Sequence, residues 1–569
     1  MKHCPKCDRE YSDESLNFCL DDGEWLQEMT QGDEPATALL HETAPPRESA
    51  TVSQIHATEQ TAVLPTGTVG GQAPQNKSKT YTFVGIAAIG VAAIALLTFV
   101  YLKQAQARQI NSVAVMPFTN ESGDPQAEYL SDGMTDTLIR SLSELPNVKV
   151  KARTSVFRYK GKEIDPKTVG KELGVQAVVN GRLSQRDGRT NVSLEVIDAE
   201  TEDVILSTNY DKPQSELVTL QSDIARDVSA KLRNKLSGAE QAKVEKTYTT
   251  DPEAYQLYLK GDFYWHKRGR ENLLRATDFF NQAIERDPNY SLAYAGLALT
   301  FTLYADYSVA SPADSFPRVK AAAAHALELD DSLAEAHAAL GGYYTVWEWD
   351  FVAAEQEYRK SIALNPNFAT AHHWLSTDVL CSLKRFDEAV AEAKKAQDLD
   401  PLSSIITANL GDVYQYARRY DDAASMYRRA QELDPTFYFP PQALGTVLLV
   451  KGQYPESIAS LQKALELSPG DPYVKSLLAN ALARTGKRDE ALKLVEEIKH
   501  KPTDQFVPGE TLAFSYLALG NKDEALNWLE KAVDQHSREA ILLAVDPLFD
   551  ELRSEPRYKA LMKRVNLPE

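Results

Sequence analysis

The sequence predicts a multidomain chain: a small cysteine knuckle, one transmembrane helix, an α/β layer domain and a long all-α solenoid. Three observations predict it. One stretch of twenty-two residues carries no charge, strand-like and helix-like periodicities interleave from Ser112 onward, and prolines recur at a near-constant interval over the C-terminal half.

A chain of 569 residues is too long for one hydrophobic core, so several domains are expected. The net charge of −19 argues against a general nucleic-acid binder, which needs a basic face. Of the four cysteines, Cys4, Cys7 and Cys19 crowd into the first twenty residues and Cys381 stands alone. That clustering suggests a metal site and leaves no disulfide framework elsewhere.

Two residues between Cys4 and Cys7 let one tight turn aim both sulfurs at a tetrahedral ion, and Cys19 follows on a second turn. The stretches His3-Cys4-Pro5-Lys6-Cys7 and Phe18-Cys19-Leu20-Asp21-Asp22-Gly23 resemble the short zinc ribbons that open many bacterial membrane and signalling proteins. Asp22 stands where that pattern has a fourth cysteine, and its carboxylate or His3 completes the set. The resemblance implies one structural zinc on Cys4, Cys7, Cys19 and Asp22 within residues 1–27; the alternative is a vestigial knuckle without metal. No other cofactor is expected. Acidic neighbours from Asp8 to Glu24 would repel a nucleic acid. Residues 28–80 are rich in Thr, Ala, Pro, Gln and Glu without periodicity, the composition of a disordered tether.

The uncharged stretch is Tyr81 to Leu102, flanked by Lys77, Lys79, Lys103 and Arg108. At ~1.5 Å per residue it covers roughly 33 Å, enough for a hydrocarbon core of about 30 Å. Basic residues at both ends leave orientation unset. Thiolates held ready for zinc survive best in a reducing cytosol. This places the N-terminus in the cytoplasm and the larger part outside, on a bacterial inner membrane. Gly85, Ala88 and Ala92 form a small-residue face suited to a homodimer.

Residues 110–238 read as the α/β domain. Ser112 to Phe118 is a buried strand, and Tyr129, Leu130, Met134, Leu138, Ile139 and Leu142 recur at helical spacing. Val148 to Lys151 alternates as a short strand, and a helix from about Lys167 stops at Gly174. Strands at Gln176–Leu183 and Asn191–Ile197 join through Gln185-Arg186-Asp187-Gly188, another follows at Val204–Tyr210, and Leu217 to Leu232 stripe a closing helix. Arg153-Thr154-Ser155 reads as a helix start, with the lining of a ligand cleft as the alternative. The stretches SVAVMPFTNESGDPQAEYLSDGMTDTLIRSL, RTSVFRYKGK, GKELGVQAVVNGRL and LEVIDAETEDVILSTNYD resemble the TolB N-terminal-like domain of bacterial sensory proteins. That resemblance implies a sensing or docking module without known catalytic residues.

From residue 252 to 569 the sequence repeats itself. Pro366, Pro401, Pro435 and Pro469 are spaced 35, 34 and 34 apart, each after a helix rich in Ala and Leu. Leu410-Gly411, Tyr414, Ala423, Tyr427, Ala430 and Pro435 resemble the tetratricopeptide pattern, and the Gly341 and Gly445 units repeat most of it. Small residues at Gly411 and Ala423 let paired helices cross closely, and proline ends the second helix. Seven to eight units are expected, the second lengthened by a loop from Asp306 to Pro317, with Asp546 to Tyr558 as a cap. The resemblance implies a concave face that binds extended peptides or helices. The groove residues cannot be singled out from sequence. His372-His373 reads as packing, not metal ligation.

No phosphate-binding GxxxxGK[ST] loop, GxSxG elbow or HExxH helix is present. The expected function is a non-catalytic single-pass membrane receptor or scaffold in bacterial signalling, binding proteins or peptides. The alternative is a structural factor that gathers envelope proteins without signalling.

Overall fold

The computed structural model describes residues 2–3, 10–11, 27–28, 110–163, 165–233, 236–500 and 507–569. Near the N-terminus, Lys2–His3 and Glu10–Tyr11 pair as antiparallel two-residue strands. Cys4, Cys7, Cys19 and Asp22 lie outside the described residues, as do the tether and Tyr81–Leu102 with Gly85, Ala88 and Ala92.

Alternation of Val113, Ala114 and Val115 decides the α/β part, because successive side chains of a strand point to opposite faces. The strands are β1 (Ser112–Val115), β2 (Thr119–Asn120), β3 (Lys149–Val150), β4 (Ala177–Arg186), β5 (Arg189–Asp198) and β6 (Val204–Pro213). They form one mixed sheet of order β3-β1-β4-β5-β6, with β2 also on β4; β1 is parallel to β3 and β4, and β4, β5 and β6 are antiparallel. One face, through Val113, Val115 and Val179, packs against α1 (Glu128–Ser143) and α4 (Leu217–Leu232). The other, through Ala114 and Val178, packs against α2 (Arg153–Phe157) and α3 (Pro166–Leu173). Helix α3 starts where Asp165 accepts a hydrogen bond from the Thr168 amide at 2.8 Å, and stops at Gly174, whose φ of 65° is left-handed. The β4–β5 hairpin turns at Asp187 and Gly188, both with positive φ, as a two-residue hairpin demands. A short α5 (Gly238–Val244) leads to the repeats.

Among the described residues the C-terminal region forms eight helix pairs: α6 (Pro252–Lys267) with α7 (Arg270–Arg286), α8 (Ser291–Thr302) with α9 (Pro312–Leu329), α10 (Ala334–Tyr343) with α11 (Phe351–Leu364), α12 (Ala369–Trp374) with α13 (Phe386–Leu399), α14 (Ser404–Tyr416) with α15 (Tyr420–Leu433), α16 (Phe439–Val450) with α17 (Tyr454–Leu467), α18 (Pro472–Arg484) with α19 (Arg488–Lys499), and α20 (Glu510–Ala518) with α21 (Lys522–Asp534). Glycine sets the spacing within pairs. A Cβ on Gly261 would lie 2.6 Å from the Phe280 ring, on Gly341 2.7 Å from Tyr358, on Gly411 2.6 Å from Tyr427, and on Gly445 2.7 Å from Leu461. Two short 3₁₀ turns and α22 (Pro556–Arg564) complete the chain, with Tyr558 fully buried and its hydroxyl donating to the Leu543 carbonyl at 2.6 Å.

Two expectations are corrected. Among the described residues no helix is long and apolar enough to cross a membrane. The longest, α9, has 18 residues and carries Asp314, Arg318, Lys320 and Glu328, the mark of a helix with one wet face. The fold class is therefore mostly helical, with tetratricopeptide-like repeats beside the α/β part, and the transmembrane helix and inner-membrane placement are not retained. The second correction concerns the loop from Asp306 to Pro317. Helix α9 already begins at Pro312, because Ser311 accepts from the Asp314 amide at 3.2 Å and proline suits a first helical position. Pro317 then sits inside the helix.

Gly411→Ala is expected to cost about 1–3 kcal/mol, since the added methyl must displace the buried Tyr427 ring. Urea unfolding of the full chain measures it, and a loss no larger than that of a surface substitution would remove the spacing role.

Candidate functional site

The concave side of the helix array is largely occupied by the chain itself. From the α/β part, α1 lies on α6: a Cβ on Gly133 would meet Leu259 at 2.8 Å, and Tyr129 donates to Gln256 at 3.1 Å. Farther along, β3 presents its free edge to the repeats. The Val150 amide donates to Asn367 Oδ1 at 3.1 Å, and Asn367 Nδ2 donates to the carbonyls of Ser143 at 3.0 Å and Val148 at 2.9 Å. The Ala152 amide donates to the Leu399 carbonyl at 3.0 Å, and Ser155 Oγ donates to Asp400 at 2.6 Å while accepting from the Leu402 amide. The α/β part thus bridges the first helix pair and the links on either side of the α12–α13 pair.

The C-terminal segment closes the other side. His536 stacks between Trp347 and Trp349, with ring centroids 4.2 and 4.3 Å away. Arg538 Nη2 lies 2.6 Å from Asp378 Oδ2 and Nη1 3.8 Å from Asp306. Lys384 donates to the carbonyl of Glu569, and Asn566 to that of Trp349. Trp347 and Asp378 both sit in π turns, Tyr344–Glu348 after α10 and Leu375–Leu380 after α12. The wider turn rotates those side chains out of the ordinary helical register, a distortion often found at functional positions.

Between these parts a cavity of about 1180 Å³ remains. The first helices of the pairs line it, through Trp265, Leu299, His373, Asn409, Thr446 and Tyr473, with Asp136 and Arg153 added from the α/β part. Tyr307 and Ile405 line it too, and they are 37% and 41% exposed. Its charges are mostly paired: Arg140 lies 3.1 Å from Glu335, and Arg153 2.8 Å from Asp136. Arg268 stacks on Trp265 at 3.8 Å, one of its nitrogens has no partner, and burial pulls its guanidinium down to about 10. Burial pushes Asp412 and Glu144 up to about 7, and Asp306, Asp400 and Asp546 up to about 6. Burial also pulls His373 down to about 4, and His266 well below its ordinary value.

His372 is a packing residue: it is buried, with Nδ1 2.6 Å from Glu392 and Nε2 3.2 Å from the Pro366 carbonyl. His337, one repeat earlier, makes the same pair of contacts with Glu357 and the Asp331 carbonyl. His373 instead faces the cavity, its Nε2 2.6 Å from Asn409 Nδ2. Of Arg153-Thr154-Ser155, the first two line the cavity and Ser155 docks on the repeats, so helix start and cleft lining coincide. Cys381 is fully buried and unpaired.

Taken together, these features define an α/β part docked on an array of tetratricopeptide repeats. Tetratricopeptide repeat models match residues 408–472, 448–505 and 511–535. Residues 108–227 match a different description from the one the sequence suggested, the second domain of HilA/YgeH-like transcriptional regulators. A protein of Rhizobium meliloti (strain 1021) named "Putative adenylate cyclase 3" is 30% identical over 227 residues, 40% of this chain. The match spans 39% of that relative's length. Solved structures of similar fold include PilF of Pseudomonas aeruginosa, at 22% identity and TM-score 0.30 over 38% of this chain and 92% of that one. The tetratricopeptide protein YrrB, described as having an unusual peptide-binding site, is 25% identical with TM-score 0.22, over 33% of this chain and 96% of its own. Human IFIT1 is 17% identical with TM-score 0.39, over 56% and 78%.

Two outcomes follow from this geometry. Arg538→Ala strands the buried Asp378 carboxylate and is expected to cost about 3 kcal/mol; Asp378→Asn in the same chain should restore part of it, as a double-mutant cycle would read. For pH, the carboxyls of Glu144, Asp306, Asp400, Asp412 and Asp546 have folded values above their unfolded ones. The unfolded chain therefore releases protons first, and stability falls as pH rises from about 4 through about 7. Asp398 and Glu392, held low by lysine and histidine partners despite burial, lose their contribution only in more acid solution. Thermal melts should peak near pH 5 and decline toward pH 8, with a shallower decline in Asp412→Asn.

Proposed function

We propose that this chain is a protein-binding scaffold of bacterial signalling that takes a segment of one partner protein into its central cavity. The observation that carries the reading is the exposure of Tyr307 and Ile405 inside a cavity lined by the first helices of the repeats. Apolar side chains left wet in an otherwise well-packed interior favour an occupant that covers them. The volume, about 1180 Å³, exceeds the range of about 300–1,000 Å³ usual for small ligands, which favours a peptide segment. Self-occupation of the concave side leaves room for one client, which favours a scaffold with a dedicated partner over a factor that gathers several envelope proteins. Tetratricopeptide repeats act by recognition, and cyclase activity is no part of the proposal, because the match covers a minor share of the Rhizobium protein. At the N-terminus, Cys4, Cys7, Cys19 and Asp22 remain the proposed ligands of one structural zinc.

Selection of a displayed random-peptide library on the full chain should enrich a consensus carrying an apolar side chain. Ile405→Glu is expected to weaken the selected peptide at least tenfold while leaving the melting temperature within a few degrees. Failure to enrich any peptide, or full-strength binding by Ile405→Glu, would sink the proposal.

A further inference from the structure

Asp262 and His266 stand four residues apart on α6, the spacing that places two side chains on one helical face. Helix α1 brings Asp136 against that face, its approach fixed by the Gly133–Leu259 contact. One ligand atom from each of the three residues lies within 4.8 Å of the others. Asp136 and Asp262 are each only 8% exposed. The Asp136 carboxylate is held at one oxygen by Arg153 Nε at 2.8 Å, while its Oδ1 is buried and has no hydrogen-bond donor. Arg153 is the guanidinium paired with Asp136 beside the second buried carboxyl, and one acceptor oxygen between them stays without a partner.

We propose that Asp136, Asp262 and His266 bind one divalent transition-metal ion and that this ion pins α1 of the α/β part to α6 of the first helix pair. Two carboxylates and one imidazole form a three-residue set of the kind zinc accepts, and the imidazole disfavours magnesium and calcium, which take oxygen ligands. All three residues line the cavity, which leaves a further coordination position on that side. Arg153 orients the Asp136 carboxylate from behind, the role outer hydrogen bonds play at metal sites. Arg140 and Arg268 also face the cluster and offset part of its charge: Arg140 pairs with Glu335 and Arg268 stacks on the Trp265 ring, while each keeps one buried guanidinium nitrogen without a partner. The site lies in the wall of the same cavity, and its three ligands are set without a segment occupying it.

The experiment loads the full chain with zinc after chelator treatment and counts bound metal. The N-terminal cysteines are replaced in one arm (Cys4→Ser, Cys7→Ser, Cys19→Ser) so that thiolate ligation cannot contribute. One equivalent retained by that triple variant, and lost when Asp262→Asn or His266→Gln is added, supports the proposal. Cobalt in place of zinc should then give the weak visible bands of nitrogen and oxygen ligation, without a thiolate charge-transfer band. Zinc should raise the melting temperature of the triple variant by several degrees and leave Asp262→Asn unmoved. If the triple variant does not fold, the same comparison is read as one equivalent lost from the otherwise natural chain on Asp262→Asn. No uptake at micromolar free zinc, or uptake unchanged by both substitutions, overturns it.

Discussion

The architecture depends on a missing methyl group. In four of the helix pairs a glycine on the first helix receives a ring or a leucine from the second, and any Cβ there would fall between 2.6 and 2.7 Å from it. Helices normally pack about 8–10 Å apart, and the smallest residue at the crossing brings them to the near end of that range. The contact recurs in the first, third, fifth and sixth pairs, and the small rotation between stacked neighbours accumulates in one direction. That accumulated turn returns the last helix pair and the C-terminal segment to the level of Trp347 and Asp378, where polar contacts between distant parts of the chain become available. The cavity is a consequence of the curvature, and the curvature follows from the glycine contacts.

The two closures differ in chemistry. Between pairs, and between α1 and α6, apolar contacts are continuous with the main core, with polar groups such as Tyr129 and Gln256 at the margin of the α1–α6 seam. The contacts of β3 with Asn367, and of Arg538 with Asp378, are hydrogen bonds and ion pairs that satisfy groups otherwise buried alone. Such contacts add little net stability when made and cost a great deal when half-removed. They therefore fix where the α/β part and the tail sit more than they hold the array together. Asn367 shows this best, since one side chain serves the amide of Val150 and two carbonyls of the α/β part.

The sequence made the local structure legible. The buried strand at Ser112–Val115, the glycine stop at Gly174, the Asp187-Gly188 turn and the proline interval each follow from interactions within a few residues, and each lies within the stretch where it was expected. Self-occupation of the concave side was not legible, because Ser155 meets Asp400 across 245 residues and Asp378 meets Arg538 across 160, and neither pair leaves a periodic trace. Two of the three residues of the Asp136, Asp262 and His266 cluster were visible in principle as an Asp and a His four residues apart on one helix. The third ligand comes from the α/β part, and only the docking of α1 reveals it. The membrane expectation rested on Tyr81–Leu102 alone, whereas no described helix is long and apolar enough to cross a membrane.

Charge does not select what enters the cavity. The chain carries a net charge of −19, yet Arg140, Arg153 and Arg538 each stand against a carboxylate of the same wall. Paired charges project little field beyond their own dipole, and at physiological ionic strength what remains is screened over about 8 Å. A client charged opposite to the outer surface would be drawn toward the molecule, but it gains nothing further once inside. Discrimination within the cavity then falls to shape, to the exposed faces of Tyr307 and Ile405, and to hydrogen bonding with groups such as Asn409, whose Oδ1 lacks a partner. Such a site tolerates changes in a client's charge and rejects changes in its bulk, the reverse of what the composition alone suggests.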